Sequence, residues 1–113
     1  RVKDMIVSGG LNIYSKEVEL ALIAHPTVAD AAVIGVPDPE FGESVMAFVE
    51  RETGAPAAAV ELIEHCREHI ASYKKPKYVR FIETLPRTAT GKVRKQELRQ
   101  LVAAETDTVQ AER

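Results

Sequence analysis

Two apolar runs separated by a proline-rich break constrain this chain more than any other feature. Residues 28–36 are rich in valine, isoleucine and alanine and read as a buried strand. Pro37-Asp38-Pro39-Glu40-Phe41-Gly42 cannot continue that strand, because each proline fixes φ and removes a backbone donor. Residues 44–51 then alternate, with Val45, Ala47 and Val49 on one face and Met46 and Phe48 on the other. Two strands joined by such a loop form a hairpin, and every other element must pack against it.

The flanking segments supply those elements. Met5-Ile6-Val7-Ser8 reads as a short strand, Gly9-Gly10 as a turn, and Leu11-Asn12-Ile13-Tyr14 as its return, a small N-terminal hairpin. Ser15 is placed as an N-cap for a helix over 16–24 that presents Val18, Leu22 and Ile23 and stops before Pro26. A second amphipathic helix is expected over 57–71, with Val60, Ile63, Cys66 or Arg67, and Ile70 on its inner face. A third strand over 78–83 turns Val79 and Phe81 to one side. A last helix from near Val93 presents Leu98, Leu101 and Val102. Strands with helices segregated to the flanks predict a small α+β domain: an N-terminal two-stranded hairpin and a three-stranded sheet flanked by about three helices. Residues 1–104 are expected to form the domain and residues 105–113, poor in apolar side chains, a disordered tail.

With 113 residues there is room for one compact domain. No apolar run approaches the ~20 residues of a membrane-spanning helix, and no signal-peptide pattern opens the chain. Arg1-Val2-Lys3-Asp4 lacks an initiator methionine, which suggests a piece of a longer polypeptide, and a cytoplasmic location is expected. The single cysteine, Cys66, cannot form an internal disulfide and reads as core packing.

Charge is unevenly distributed. Residues 73–99 hold nine basic and two acidic residues, a balance of +7, whereas the whole chain carries −2. A basic third on an acidic domain points to an anionic partner, either nucleic acid or a phosphate-bearing small molecule, or else to a solvated face. His65 and His69 stand four residues apart on the second helix, but no H-E-x-x-H or equivalent completes a metal site, and none is expected. Leu85-Pro86-Arg87-Thr88-Ala89-Thr90-Gly91-Lys92 combines a proline-stiffened base with a glycine before a lysine. Such a loop can hold one cation out toward a neighbouring anion. It lacks the second upstream glycine and the Ser or Thr after the lysine of a P-loop.

Four stretches together carry a resemblance. Arg1-Val2-Lys3-Asp4-Met5-Ile6-Val7-Ser8-Gly9-Gly10-Leu11-Asn12-Ile13-Tyr14 with Glu17-Val18-Glu19 resembles the hinge motif of the adenylate-forming superfamily. Its members include acyl-CoA synthetases, adenylation domains of peptide synthetases and firefly luciferase. Ile34-Gly35-Val36-Pro37-Asp38, Lys75-Pro76-Lys77 and the stretch from Leu85 to Lys92 resemble its later motifs in the same order, over residues 1–101. The Ser8-Gly9-Gly10 and Asn12-Ile13-Tyr14 text looks most like the acyl-CoA synthetase branch.

The resemblance implies an ATP-dependent, AMP-forming acid-thiol ligase that activates a carboxylic acid, with fatty acids expected, to an acyl-adenylate and then forms the CoA thioester. ATP, Mg2+ and CoA would serve the full-length enzyme, and none would be held by this domain alone. The partner is the enzyme's own N-terminal adenylation domain, without which the chain would be an inactive lid. Lys92 matches the lysine of the first half-reaction and a site of reversible acetylation. Arg1 matches a nucleotide-binding arginine, Lys3 the hinge, and Ser8, Gly9 and Gly10 the thioesterification loop. Phe41, Tyr73, Lys75 and Lys77 fall where relatives contact CoA. Two alternatives remain: an adenylation domain that loads a carrier protein, and a nucleic-acid-binding module using the basic region. The absence of a nucleic-acid motif argues against the second.

Overall fold

The computed structural model describes residues 4–54, 56 and 58–112, with side chains to residue 105. Strand β1 (Met5–Ser8) returns as β2 (Leu11–Tyr14) and runs directly into helix α1 (Ser15–Ile23). The long strands β3 (Val28–Asp38) and β4 (Gly42–Arg51) follow, then α2 (Ala59–His69), a 3-10 turn (Ser72–Lys74), β5 (Tyr78–Phe81) and α3 (Lys95–Glu112). β1 and β2 form one antiparallel pair. The second sheet has the order β3-β4-β5, antiparallel between β3 and β4 and parallel between β4 and β5. This is the α+β domain that the strand and helix periods predict.

The sheet is buried on both faces, which is why β3 reads as an almost unbroken apolar run. Odd-numbered Ala31, Val33, Val45, Ala47 and Val49 face one core with Ile6, Ile13, Val18, Leu22, Leu62 and Cys66, beneath the small hairpin, α1 and α2. Even-numbered Ala32, Ile34, Val36 and Phe48 face a second core with Leu85 and Leu98, beneath α3. Val28 breaks the parity and joins the first core, because a bulge between Val28 and Asp30 sets two residues of β3 against one of β4. The bulge leaves Asp30 on the α3 side.

Several details differ from the sequence expectation. β3 does not end before the prolines: it runs through Pro37 to Asp38, which pair with Glu43 and Gly42, because a proline is tolerated on an edge strand where its missing N–H would face away from the partner. Ser15 is the first residue of α1 rather than its cap; Tyr14 holds the cap position without a side-chain bond, and the buried Ser15 hydroxyl instead meets Lys95. On α1, Ala21 is buried with Val18 and Leu22, while Ile23 is 40% exposed. On α2, Leu62 and Cys66 are buried and Val60 is 71% exposed, so the inner face is rotated from the one predicted. The apolar pair four residues apart, Leu62 and Cys66, meets α1 and the sheet, and the helix starts at Ala59, past residue 57. Backbone helix continues in α3 to Glu112, through the stretch expected to be a tail. Burial pushes the Cys66 thiol up to about 11, leaving it neutral and inert.

Candidate functional site

The loop bearing Lys92 is built from both ends. Buried Leu85 anchors its base in the α3-side core, and the Leu85 N–H donates to Glu50 Oε2 at 2.6 Å. The Arg87 guanidinium donates to Glu50 Oε2 at 3.1 Å and to Asp30 Oδ2. Arg87 and Val93 form a bridge, and the Arg94 N–H closes the neck on Pro86 O at 2.7 Å. At the tip, Thr88 N–H donates to Lys92 O (2.7 Å) and Gly91 N–H to Thr88 O (2.9 Å). The turn needs Gly91, which sits at φ +92°. Lys92 is exposed, and its ammonium makes no hydrogen bond or ion pair among the described residues. The base is thus clamped by two carboxylates while the cation at the tip is free.

Just beyond the loop, Lys95 joins α3 to the N-terminal elements. Its ammonium lies 2.8 Å from Glu19 Oε2, 3.1 Å from Ser15 Oγ and 3.9 Å from Asp4 Oδ1. Glu19 Oε2 also accepts the Val33 N–H at 2.9 Å, and Asp30 Oδ1 accepts that of Ala31 at 2.8 Å.

At the far end of the sheet lies the Ser8-Gly9-Gly10 turn. Gly9 and Gly10 have φ of +58° and +82°, the signature of a two-residue hairpin turn that only glycine enters freely. The Gly9 N–H donates to Phe41 O at 2.8 Å, and a Cβ on Gly9 would stand 3.3 Å from the Phe41 ring. Phe41 itself is held by Asp38. That buried carboxylate accepts the N–H groups of Glu40 (2.8 Å) and Phe41 (2.9 Å), the Ser44 hydroxyl (2.5 Å) and the Lys77 ammonium (3.0 Å). The Ser44 bond first, then the two backbone N–H groups and Lys77, hold the Asp38 carboxyl far below the usual range against the opposing effect of burial.

A pH dependence follows from the sign of that shift. A depressed folded-state pKa contributes stability that is complete above the unfolded value of about 4 and is lost as pH falls below it. The stability advantage of the native protein over Asp38→Asn is therefore expected to shrink between pH 6 and pH 3, measured by urea unfolding at each. A constant difference would refute this role for the charge.

The structure brings some of the expected CoA contacts together and separates others. Lys77 Nζ lies 6.0 Å from the Phe41 ring centre and 5.6 Å from that of Tyr78, so Phe41, Lys77 and Tyr78 gather beside the glycine turn. Tyr73 and Lys75 stand on or next to the 3-10 turn. There Tyr73 takes Lys74 at 5.6 Å, and Lys75 donates to Ser72 O at 3.3 Å. No ring contact joins Tyr73 to Phe41 among the described residues. Tyr78, not singled out in the sequence, is the exposed aromatic sharing Lys77. Arg1 and Lys3 lie outside the described residues.

The basic third is largely neutralised by folding. Lys74 pairs with Glu17, Lys77 with Asp38, Arg80 with Glu105, Arg87 with Asp30 and Glu50, Arg94 with Glu97, and Lys95 with Glu19. Lys75, Lys92 and Arg99 have no such ion pair among the described residues. The charge segregation along the chain is thus mainly internal pairing rather than a continuous basic face. The histidines also have structural roles: His65 Nε2 donates to Ala21 O at 2.8 Å, and His69 Nδ1 to His65 O at 2.7 Å. Among the described residues no three His, Cys, Asp or Glu side chains converge on a metal position, and no helix is long and apolar enough to cross a membrane.

A small α+β domain that carries a clamped cationic loop at one end and a glycine turn at the other is the class these features define. Residues 17–92 match the family model described as the AMP-binding enzyme C-terminal domain, and the chain belongs to that family. It is 50% identical over 101 residues to a 3-[(3aS,4S,7aS)-7a-methyl-1,5-dioxo-octahydro-1H-inden-4-yl]propanoyl:CoA ligase of Mycobacterium tuberculosis, covering 89% of this chain and 20% of that protein. It is 45% identical over 101 residues to the peroxisomal trans-cinnamate:CoA ligase of Petunia hybrida, covering 89% and 18%. Among solved structures, ATP-bound MatB from Rhodopseudomonas palustris superposes with a TM-score of 0.85 at 42% identity, over 89% of this chain and 20% of that one. The chain therefore spans about a fifth of the length of the relatives it matches.

Proposed function

We propose that this chain is the mobile C-terminal domain of an AMP-forming acyl-CoA synthetase and supplies one element to each of two half-reactions. The observation that carries the reading is the free Lys92 ammonium on a loop whose base is fixed by Arg87, Asp30 and Glu50. In the first half-reaction a carboxylate oxygen attacks the α-phosphorus of ATP and pyrophosphate leaves. Two anions must approach, and a cation held in place beforehand lowers that cost without reorganising. Lys92 is that cation. Acetylation of Lys92 would remove its charge and silence this step.

In the second half-reaction the CoA sulfur attacks the acyl carbonyl and AMP leaves. The Ser8-Gly9-Gly10 turn, free of side-chain bulk at two positions, would line the path of the thiol arm. Phe41 would offer a face to the adenine. Lys77, whose ammonium keeps donors beyond the one given to Asp38, would meet the CoA phosphates. Tyr73 and Lys75 would act from the neighbouring 3-10 turn. Asp30 and Asp38 lie eight residues apart on β3, about 26 Å at the usual rise per residue. Because the two elements lie at opposite ends of the sheet, one domain cannot present both to a single site at once. Rotation about Lys3, with Arg1 on the nucleotide, would exchange them. The CoA-ligase names of the relatives support this reading, as does an ATP-bound structural neighbour. A fatty or other apolar acid is the proposed substrate class.

The test uses the full-length polypeptide with ATP, Mg2+ and a panel of carboxylic acids. Acid-dependent pyrophosphate release followed by thioester formation on free CoA is expected. Acyl transfer only to a phosphopantetheinylated carrier protein would replace the CoA reading with carrier loading. Absence of pyrophosphate release with every acid would refute the proposal.

A further inference from the structure

Four carboxylates, of which only Asp38 falls within a motif, occupy the two ends of the β3–β4 hairpin, and each pair holds one functional loop. At the open end, Asp30 and Glu50 are register partners on the α3 side of the sheet, and both accept the Arg87 guanidinium, while Glu50 also takes the Leu85 N–H. At the turn end, Asp38 shapes the 38–42 turn so that Phe41 O receives the Gly9 N–H. Beside it, Glu43 Oε1 accepts the Val7 N–H at 2.9 Å. Glu43 has the odd parity of Val45 and Ala47, the face on which the β1–β2 hairpin sits. Gly35 makes the room. A Cβ there would stand 2.8 Å from Glu43 Oε2 and 3.2 Å from Ile6 Cγ2, and no positive φ is involved, so the requirement is purely one of space.

We propose that the β3–β4 hairpin is the positioning element for both half-reactions: Asp30 and Glu50 set the Lys92 loop, and Asp38 and Glu43, with Gly35 beneath, set the Gly9-Gly10 turn. The inference rests on the function proposed above for its catalytic consequence, but the gripping itself is a property of this chain. Glu43 acts through the Val7 N–H, and Asp38 through the Glu40 and Phe41 N–H groups while it also holds the Lys77 ammonium. Because the pairs are separated by the length of a paired strand, loosening one leaves the other in place.

The experiment is a double dissociation in the full-length enzyme, with two independent readouts. The catalytic readout compares pyrophosphate release from acid and ATP with thioester formation from supplied acyl-adenylate and CoA. Gly35→Ala and Glu43→Ala are expected to slow the thioester step by about tenfold or more and to change adenylation by less than about twofold, since small displacements of a positioned group are that costly. Glu43→Gln, which keeps an acceptor for the Val7 N–H, restores most of the rate. Asp30→Ala combined with Glu50→Ala shows the reverse pattern. The second readout is peptide-level hydrogen exchange, which reports local opening whatever the reaction. Gly35→Ala and Glu43→Ala should speed exchange in residues 5–10 and not in 85–94, and the Asp30/Glu50 variant the opposite. Parallel loss of both half-reactions, or exchange that rises equally at both ends, overturns the inference. An unmodified enzyme with no acid-dependent pyrophosphate release would sink the proposed function alone, because the exchange pattern still decides the gripping.

Discussion

Lys92→Ala is expected to lower acyl-adenylate formation by about a hundred- to a thousandfold, the usual cost of removing one preorganised group from developing charge. Thioester formation from supplied acyl-adenylate should persist. The structure makes this substitution unusually clean. Lys92 holds its turn through its backbone, with the Thr88 N–H on its carbonyl and its own N–H 3.2 Å from Thr88 Oγ1. Its side chain holds nothing among the described residues. Alanine removes the cation and leaves the Arg87 clamp, the Pro86–Arg94 neck and the Gly91 turn as they were. Pyrophosphate release and thioester formation, assayed separately, decide the matter. An equal fall in both would mean that Lys92 does not belong to one half-reaction.

Phe48→Ala should be the most damaging single change to stability, costing about 3–5 kcal/mol. Phe48 is fully buried at the middle of β4, opposite the small Ala32, and shares its core with Ile34, Leu85 and Leu98. The ring also lies 5.7 Å from the Arg80 guanidinium carbon. Nothing nearby can fill its place, because the facing strand position is an alanine and β4 is held on both sides. Domains of this size have only about 5–15 kcal/mol in total, so the variant sits near the edge of folding. Since Leu85 anchors the Lys92 loop in that same core, the loop loses its footing too. A urea midpoint shift at constant slope measures the effect; a loss under about 1 kcal/mol would refute the packing argument.

Much of the fold is legible in the sequence because both sheet faces obey period two. Val45, Ala47 and Val49 against Met46 and Phe48 could be assigned before any coordinates, and so could Val79 and Phe81. The inner face of α2 was less legible. Val60 and Ile63 fit a helical stripe as well as Leu62 and Cys66 do, and only the neighbouring α1 and sheet decide between them. Lys92 and the glycine turn stand out through motifs confined to a few residues each. Their supports do not, because Arg87 lies 57 residues from Asp30 and 37 from Glu50, and Val7 lies 36 from Glu43. A carboxylate in a strand looks like a solvated charge until the partner brought to it by folding is known. The same long-range pairing is why the basic third, so conspicuous along the chain, does not become a continuous basic face.

β3 is an edge strand of eleven residues, long and apolar, the kind of surface onto which another chain's strand can add. The backbone N–H groups of its odd residues point away from β4. The Ala31 N–H is taken by the Asp30 carboxylate and the Val33 N–H by Glu19, while position 37 is a proline with no N–H to offer. The carboxylates that organise the Lys92 loop and tie down Lys95 therefore also satisfy buried donors along the strand's unpaired side. An incoming strand would have to displace charged, hydrogen-bonded acceptors at two successive outward sites and would find no donor at a third. The side chains that position the functional elements thereby also occupy the unpaired side of the domain's longest strand.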